Sequence, residues 1–323
     1  MKHSIRNISG TILLLLLCLS LAGCRKAPDP ITKTSFKLNT VVTVTIYDSS
    51  DVSLLDHALE LCDYYENLFS RTRETSEIYQ INQRTKNQLS PETEELLETA
   101  LSYSRLSGGL FDPSIGPVSS LWDFHAEQPD VPENAKIQAA LPLVNAEKVC
   151  ISDHTVTMDE GMLLDLGAVS KGYIADRIKD YLVEQGVKSA VIDLGGNVLC
   201  IGNRPDGTPF RIGTRQPFED TSTAAAVFSI TDQSVVTSGI YERCFTKDGI
   251  LYHHLLDPGT GYPCENELAS VTIISDHSVD GDALSTCCFL MGTQKGMELI
   301  DSLPDVRAVF ITREGELLYS EGF

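Results

Sequence analysis

Hydrophobic positions along this chain repeat with two different periods. From Val52 to Phe69 the residues Leu54, Leu55, Ala58, Leu61, Cys62 and Leu68 recur at three- and four-residue spacing, which predicts an amphipathic helix. Helices are also predicted over 91–106, 171–185 and 280–291. The 91–106 helix opens on Ser90-Pro91-Glu92-Thr93-Glu94, which supplies an N-cap, a proline at the first helical position and acidic first-turn residues, and Gly108 and Gly109 stop it. Runs of β-branched and apolar residues predict strands at 41–47, 190–193, 197–201, 210–213, 225–230, 234–237 and 271–275. A short strand at 162–164 leads into the 171–185 helix, and a last pair falls near 308–312 and 316–319. Strands in both hairpin-like and crossover settings, with helices between them, predict an α+β (mixed α/β) fold: a single compact domain built on a mixed β-sheet with flanking helices.

One apolar run fits neither period. Thr11 to Leu21 is dominated by leucine, follows Lys2 and Arg6, and ends in Leu21-Ala22-Gly23-Cys24. It is shorter than the roughly 20 apolar residues a membrane span needs, so it predicts a signal peptide. Small residues closing on a cysteine are the pattern of a bacterial lipobox, in which Cys24 is diacylated and becomes the new N-terminus. A plain secretory signal with an incidental cysteine is the competing reading. The lipobox divides the chain into a signal peptide (1–23), a lipidated tether (24–34) containing Pro28 and Pro30, and the domain itself (35–323). Two acyl chains give stable anchoring, so the expected address is the extracytoplasmic face of the cell membrane.

Loss of residues 1–23 removes Lys2 and Arg6, leaving 23 basic against 45 acidic side chains, a charge of −22. Such a chain repels nucleic acid and anionic headgroups. Any anionic ligand would need local cations, helix N-termini or a metal to hold it. Seven cysteines remain after Cys18 and Cys24 are set aside, an odd number without CxxC spacing. That is neither a disulfide framework nor a zinc site, and buried apolar roles are expected.

Five segments carry chemistry. Asp165-Leu166-Gly167-Ala168-Val169-Ser170-Lys171-Gly172-Tyr173 runs through a turn into a helix with a lysine in its first turn. Free N–H groups, the positive end of the helix dipole and Lys171 suit a phosphate, although an exposed lysine on an ordinary turn reads the same way. Ile192-Asp193-Leu194-Gly195-Gly196-Asn197 allows a close backbone approach to a ligand, or simply a tight turn. Thr237-Ser238-Gly239-Ile240-Tyr241-Glu242-Arg243 brings hydroxyls, glycine and arginine together after a strand. His253-His254 precedes the turn Asp257-Pro258-Gly259-Thr260-Gly261; His254 is either a general base near neutral pH or a structural histidine. In Asp280-Gly281-Asp282-Ala283-Leu284-Ser285-Thr286, Asp282 and Thr286 lie four apart on one helical face. Carboxylate and hydroxyl oxygens suit Mg²⁺; the alternative is a helix cap.

Taken together and in order, these segments resemble the ApbE-type FAD:protein FMN transferase family. The resemblance runs from about Phe36 to Gly322 and rests on six blocks: Phe69-Ser70 through Ser76-Glu77-Ile78 to Asn82; Phe111-Asp112-Pro113-Ser114-Ile115-Gly116-Pro117 with Leu121-Trp122; Asp165 to Tyr173; Thr237-Ser238-Gly239 with Tyr241; His254 through Asp257-Pro258 to Thr260-Gly261; and Asp282-Ala283 with Thr286. It implies that Asp282, Thr286 and the Ala168 carbonyl hold Mg²⁺ or Mn²⁺ against the pyrophosphate of FAD. Lys171 and Asp165 would lie beside the dinucleotide, with Thr237, Ser238 and Gly239 among the FAD-binding residues. Leu38, Leu110, Phe111, Asp112 and Leu256 would line the flavin or adenine pockets. An acceptor protein's Ser/Thr hydroxyl would attack the FMN-side phosphorus, AMP would leave, and His254 or a nearby carboxylate would activate the hydroxyl. Asp282 and His254 are thus the expected catalytic pair, and the implied acceptor is a subunit of a membrane redox pump.

Two departures stand out. Leu38-Asn39-Thr40 replaces the Met-Gly-Thr of many members, and Thr72 stands where tyrosine is frequent, beside the flavin. Thr72 leaves open a metal-dependent FAD pyrophosphatase that releases FMN and AMP to water. A flavin-binding lipoprotein without catalysis is a third reading, against which Asp282, Thr286 and His254 count.

Overall fold

A computed structural model describes residues 28–219 and 223–323. The signal peptide and Cys24 lie outside the described residues. Eight strands form one sheet in the order β1-β2-β5-β6-β9-β12-β13-β14. They are β1 (Ile31–Lys37), β2 (Thr40–Ile46), β5 (Ser189–Leu194), β6 (Asn197–Gly202), β9 (Ser234–Gly239), β12 (Leu268–Ser275), β13 (Arg307–Thr312) and β14 (Leu317–Tyr319). The small hairpins β3 (Cys150–Ser152) with β4 (Thr155–Thr157), β7 (Phe210–Arg215) with β8 (Ala224–Ile230), and β10 (Cys244–Lys247) with β11 (Ile250–His253) complete the strands.

The α+β class holds, but the sheet is not mixed. Every pairing in it is antiparallel. Adjacent strands joined by short turns must run in opposite directions, as β1–β2 and β5–β6 do, and the longer excursions also return antiparallel. The tether is likewise shorter than expected, because residues 31–34 already belong to β1. Its polar sequence, ITKTSFK, gives no apolar alternation, and its partner β2 supplies the buried side chains. The strand expected at 162–164 is absent apart from one parallel bridge between Leu163 and Ile115. Asn82 takes the place of a neighbouring strand there: its amide donates to the Leu164 carbonyl (2.9 Å) and accepts from the Leu164 N–H (2.7 Å).

The helices are α1 (Ser53–Phe69), α2 (Glu77–Asn82), α3 (Pro91–Leu106), α4 (Gly116–Ser119), α5 (Asn134–Ala140), α6 (Ser170–Glu184) and α7 (Ser278–Asp301). Ser90 caps α3 as expected, its hydroxyl accepting from the Thr93 N–H at 3.3 Å. The end expected for α7 at residue 291 coincides with a break at Gly292 (φ 77°), after which the helix resumes. The main core lies between β2, β5 and β6 on one side and α1, α3 and α6 on the other. A second core joins β12 and β13 to α7, and the β7–β8 hairpin covers part of the opposite face. Five of the seven cysteines are buried, and all seven are free.

The crossing of α6 and α7 positions the site. Gly172 sits in the first turn of α6, and a Cβ there would meet Ser278 C and Val279 Cα at 2.6 Å. Only glycine lets the two helix N-termini come this close. Asp176, one turn further along α6, accepts from the N–H groups of Ser278 (2.8 Å) and Val279 (2.9 Å). One helix thereby caps the other, and residues 280–282 are released from capping duty.

Candidate active site

Asp282 is 5% exposed and lies at the junction of the two N-termini. Its Oδ2 accepts from the Gly172 N–H at 2.9 Å, and its Oδ1 stands 3.8 Å from Lys171 Nζ. Burial pushes its carboxyl above the ordinary range, while Lys171 and the amide groups around it pull the other way. A carboxylate desolvated this far, with few donors, gains most from a nearby cation. One helical turn on, the Thr286 hydroxyl lies 3.2 Å from Ser238 Oγ, which also contacts Ser285 Oγ at 2.8 Å. Ala168 lies in the turn just ahead of α6. No cluster of three or more His, Cys, Asp or Glu among the described residues could share a metal. The expected ligands Asp282, Thr286 and the Ala168 carbonyl would offer one carboxylate, one hydroxyl and one turn carbonyl, a set suited to a hard divalent ion that keeps waters and phosphate oxygens in its shell.

Lys171 acts electrostatically on three groups around this point: Asp282, Asp193 and His254. Asp193, near the end of β5, accepts from the Gly196 N–H of the β5–β6 turn at 2.8 Å. Gly195 in that turn has φ +67°, and a Cβ on it would strike Thr40 Cγ2 at 2.7 Å, so the β1–β2 turn carrying Leu38 closes over it. Leu38 itself, with φ 55°, packs partly buried against the main core.

His254 has a buried Nδ1 without a hydrogen-bond partner. Desolvation, then Arg243, His253 and Lys171, push its pKa down to about 3. It is neutral at physiological pH and a weak base until an anion enters beside these cations. His253, 2% exposed, is pushed down to about 4, chiefly by burial. Both histidines titrate near 6.5 when unfolded. Below that pH the unfolded chain takes up protons that the folded one refuses, so stability is full above about 6.5 and is lost as pH falls toward 4. At about 1.4 kcal/mol per pKa unit, the loss amounts to several kcal/mol. The difference in Tm between pH 7.5 and pH 4.5 should shrink in the His253→Gln/His254→Gln double variant, and an undiminished difference would refute the assignment.

Other expected site residues are placed differently. Thr237 and Ser238 project from opposite faces of β9, since side chains alternate along a strand. Ser238 faces α7, whereas the Thr237 hydroxyl meets Thr272 Oγ1 at 2.9 Å beneath the β7–β8 hairpin. Gly239 packs beside the Tyr241 ring. Asp112 spends its carboxylate on its own loop, accepting from Ser114 N–H (2.7 Å), Ser114 O–H (2.6 Å) and Ala146 N–H (3.0 Å). Phe111 is a member of the main core, and Leu256 belongs to the separate Trp122 cluster. Leu110 is half-buried and Thr72 is exposed. A cleft of about 290 Å³ opens between Gly109 and Asp112 on one side and Pro258 and Gly259 on the other, so these two loops do border one space.

Asp165 is an organiser. It accepts from the Gly167 N–H (3.0 Å) and the Ser119 hydroxyl (2.8 Å), and pairs with Arg71 Nε at 2.8 Å. Arg71 was missed in the sequence, although it adjoins Thr72. Its Nη1 also donates to Ser120 Oγ at 2.9 Å.

The family model described as the ApbE family matches residues 38–310. A FAD:protein FMN transferase of Klebsiella pneumoniae (strain 342) is 38% identical over 278 residues, spanning 84% of this chain and 86% of that protein. One from Treponema pallidum (strain Nichols) is 32% identical over 336 residues, spanning 97% and 93%. The ApbE protein of Thermotoga maritima superposes with a TM-score of 0.84 at 30% identity, over 91% of this chain and 97% of its own. The flavin transferase ApbE of Vibrio cholerae does so at 0.82 and 25%, over 91% and 98%. Similarity of this extent, along nearly the whole described chain, establishes that the chain belongs to the ApbE family.

Proposed function

We propose that this chain transfers the FMN half of FAD to a serine or threonine hydroxyl of an acceptor protein and releases AMP, in a reaction that depends on Mg²⁺ or Mn²⁺. The observation that carries the proposal is the buried Asp282 carboxylate, held between two facing helix N-termini with Lys171 and Thr286 beside it. The names of the relatives support the same reaction. In the proposed step the acceptor oxygen bonds to the FMN-side phosphorus, the bond from that phosphorus to the bridging oxygen breaks, and AMP leaves with the electron pair. Bound through Asp282, Thr286 and the Ala168 carbonyl, the metal would supply Lewis-acid neutralisation of the phosphoryl oxygens. Lys171 holds negative charge on the pyrophosphate, and the N-terminus of α6 adds the positive end of its dipole. Neutral His254, close enough to feel Lys171, accepts the acceptor's proton once an anionic substrate offsets the cations that depress it.

The test incubates residues 25–323 with FAD, Mg²⁺ and a protein bearing an acceptor threonine. The expected result is a mass gain of FMN less water on the acceptor, together with AMP, both abolished by EDTA. Free FMN and AMP without labelled protein would favour the pyrophosphatase, the reading that Thr72 leaves open. FAD recovered intact would leave only a carrier.

The acceptor proposed is a subunit of a membrane redox pump, reached by an enzyme tethered to the same membrane through diacylated Cys24. Cys24→Ser should move the protein from the membrane fraction to the soluble one and remove the lipid mass from its N-terminal peptide. Unchanged membrane association would contradict the anchor.

A further inference from the structure

Asn197 opens β6 immediately after the Gly195-Gly196 turn and is 1% exposed. Its Oδ1 accepts from the Ser278 hydroxyl at 2.7 Å. Its Nδ2 has no hydrogen-bond partner, one of only six buried side-chain polar atoms so placed among the described residues. A buried amide donor without a partner costs on the order of 1–3 kcal/mol, which calls for a compensating use. Ser278 and Asp282 are one turn apart on the same face of α7, so an amide anchored to the first is brought against the second. The Asn197 amide is indeed among the groups that draw the Asp282 carboxyl down. Reversing the amide would turn Oδ1 lone pairs toward that carboxylate, and the Ser278 bond opposes the reversal. Gly281 fixes the approach from the other side, because a Cβ there would meet Val236 Cγ2 at 2.8 Å, and Val236 is the register partner of Asn197.

We propose that Asn197 is a positioning residue: the Ser278 bond locks its amide so that the unpaired Nδ2 is held as a donor for the Asp282 carboxylate, fixing that carboxylate when its other oxygen takes a metal. The inference rests on the metal-dependent reading above. Partners of this kind orient ligating carboxylates, and their loss typically weakens metal binding 10–100-fold.

The experiment measures Mn²⁺ binding by electron paramagnetic resonance on the folded protein without FAD, and then FMN transfer across a Mg²⁺ series. Asn197→Leu keeps the volume and removes the donor. It should weaken Mn²⁺ binding about tenfold or more and raise the Mg²⁺ needed for half-maximal rate by a similar factor, with the rate largely recovered at saturating Mg²⁺. Ser278→Ala, which leaves Asn197 in place but unlocked, should show the same pattern to a smaller degree, and it tests the idea even if Asn197→Leu does not fold. A structural role alone would lower Tm and rate without recovery by Mg²⁺. Mn²⁺ affinity within twofold of wild type in both variants would overturn the proposal. Failure of the wild-type protein to bind Mn²⁺ would instead bring down the metal-dependent reading itself.

Discussion

Asp282→Ala should reduce FMN transfer at least about 10³-fold at any Mg²⁺ concentration while leaving the fold intact. The size follows from the donor set. In the proposed metal site the carboxylate is the one charged donor of three, and removing a charge-stabilising group from a transition state costs roughly 10²–10³ even when other donors remain. Here the metal would go with it. The effect on stability is small. The carboxylate is buried, and desolvation raises its pKa, so the native state carries an imperfectly repaid cost. Without metal, the Tm of Asp282→Ala should stay close to that of wild type, since relief of that cost is offset by the Gly172 N–H left without its acceptor. Addition of Mg²⁺ should raise the wild-type Tm and leave the variant unmoved. Transfer within tenfold of wild type would show that Asp282 does not carry the reaction.

Much of this was legible in the sequence because the chemistry is local. Asp282 and Thr286 share a helical face by spacing alone, and Lys171 falls in a first turn because the glycines and the periodicity after it mark a helix start. The relation between those two segments was not legible. Nothing in the spacing says that Gly172 admits Ser278, or that Asp176 caps a helix some hundred residues away. The same limit hid Arg71, whose pairing with Asp165 is purely tertiary. Where the structure separates what the sequence groups together, a local cause is identifiable. Residues 31–34 were assigned to the tether because an edge strand with polar faces carries no apolar alternation. Thr237 was grouped with Ser238 because a motif in sequence ignores the two-residue period that separates them in a strand. Asp112, which the resemblance implies at a flavin or adenine pocket, takes its hydrogen bonds from its own loop and the adjacent Ala146 turn, partners that no local spacing announces.

Gly172→Ala should damage both stability and transfer, although alanine is the better helix former by about 1 kcal/mol. The added Cβ falls 2.6 Å from Ser278 C and Val279 Cα. Both are backbone atoms, and Asp176 ties their segment to α6 through two hydrogen bonds. No side chain can swing away, so relief requires the two helix N-termini to part. Parting lengthens the 2.9 Å bond from the Gly172 N–H to Asp282 and draws Lys171 away from it. Overpacking of this kind costs about 1–3 kcal/mol, which lowers Tm by several degrees in a domain of this size. The metal site should loosen with it. Lys171→Met, one residue earlier, provides the contrast: it should reduce transfer about 10²-fold with Tm nearly unchanged, because methionine keeps most of the side chain's length and apolar bulk. If Gly172→Ala matched wild type in Mn²⁺ affinity and Tm, the close crossing of α6 and α7 could not be what holds Asp282 in place. A joint loss of Tm, Mn²⁺ affinity and transfer would identify the helix crossing as the element that converts two separate sequence motifs into one site.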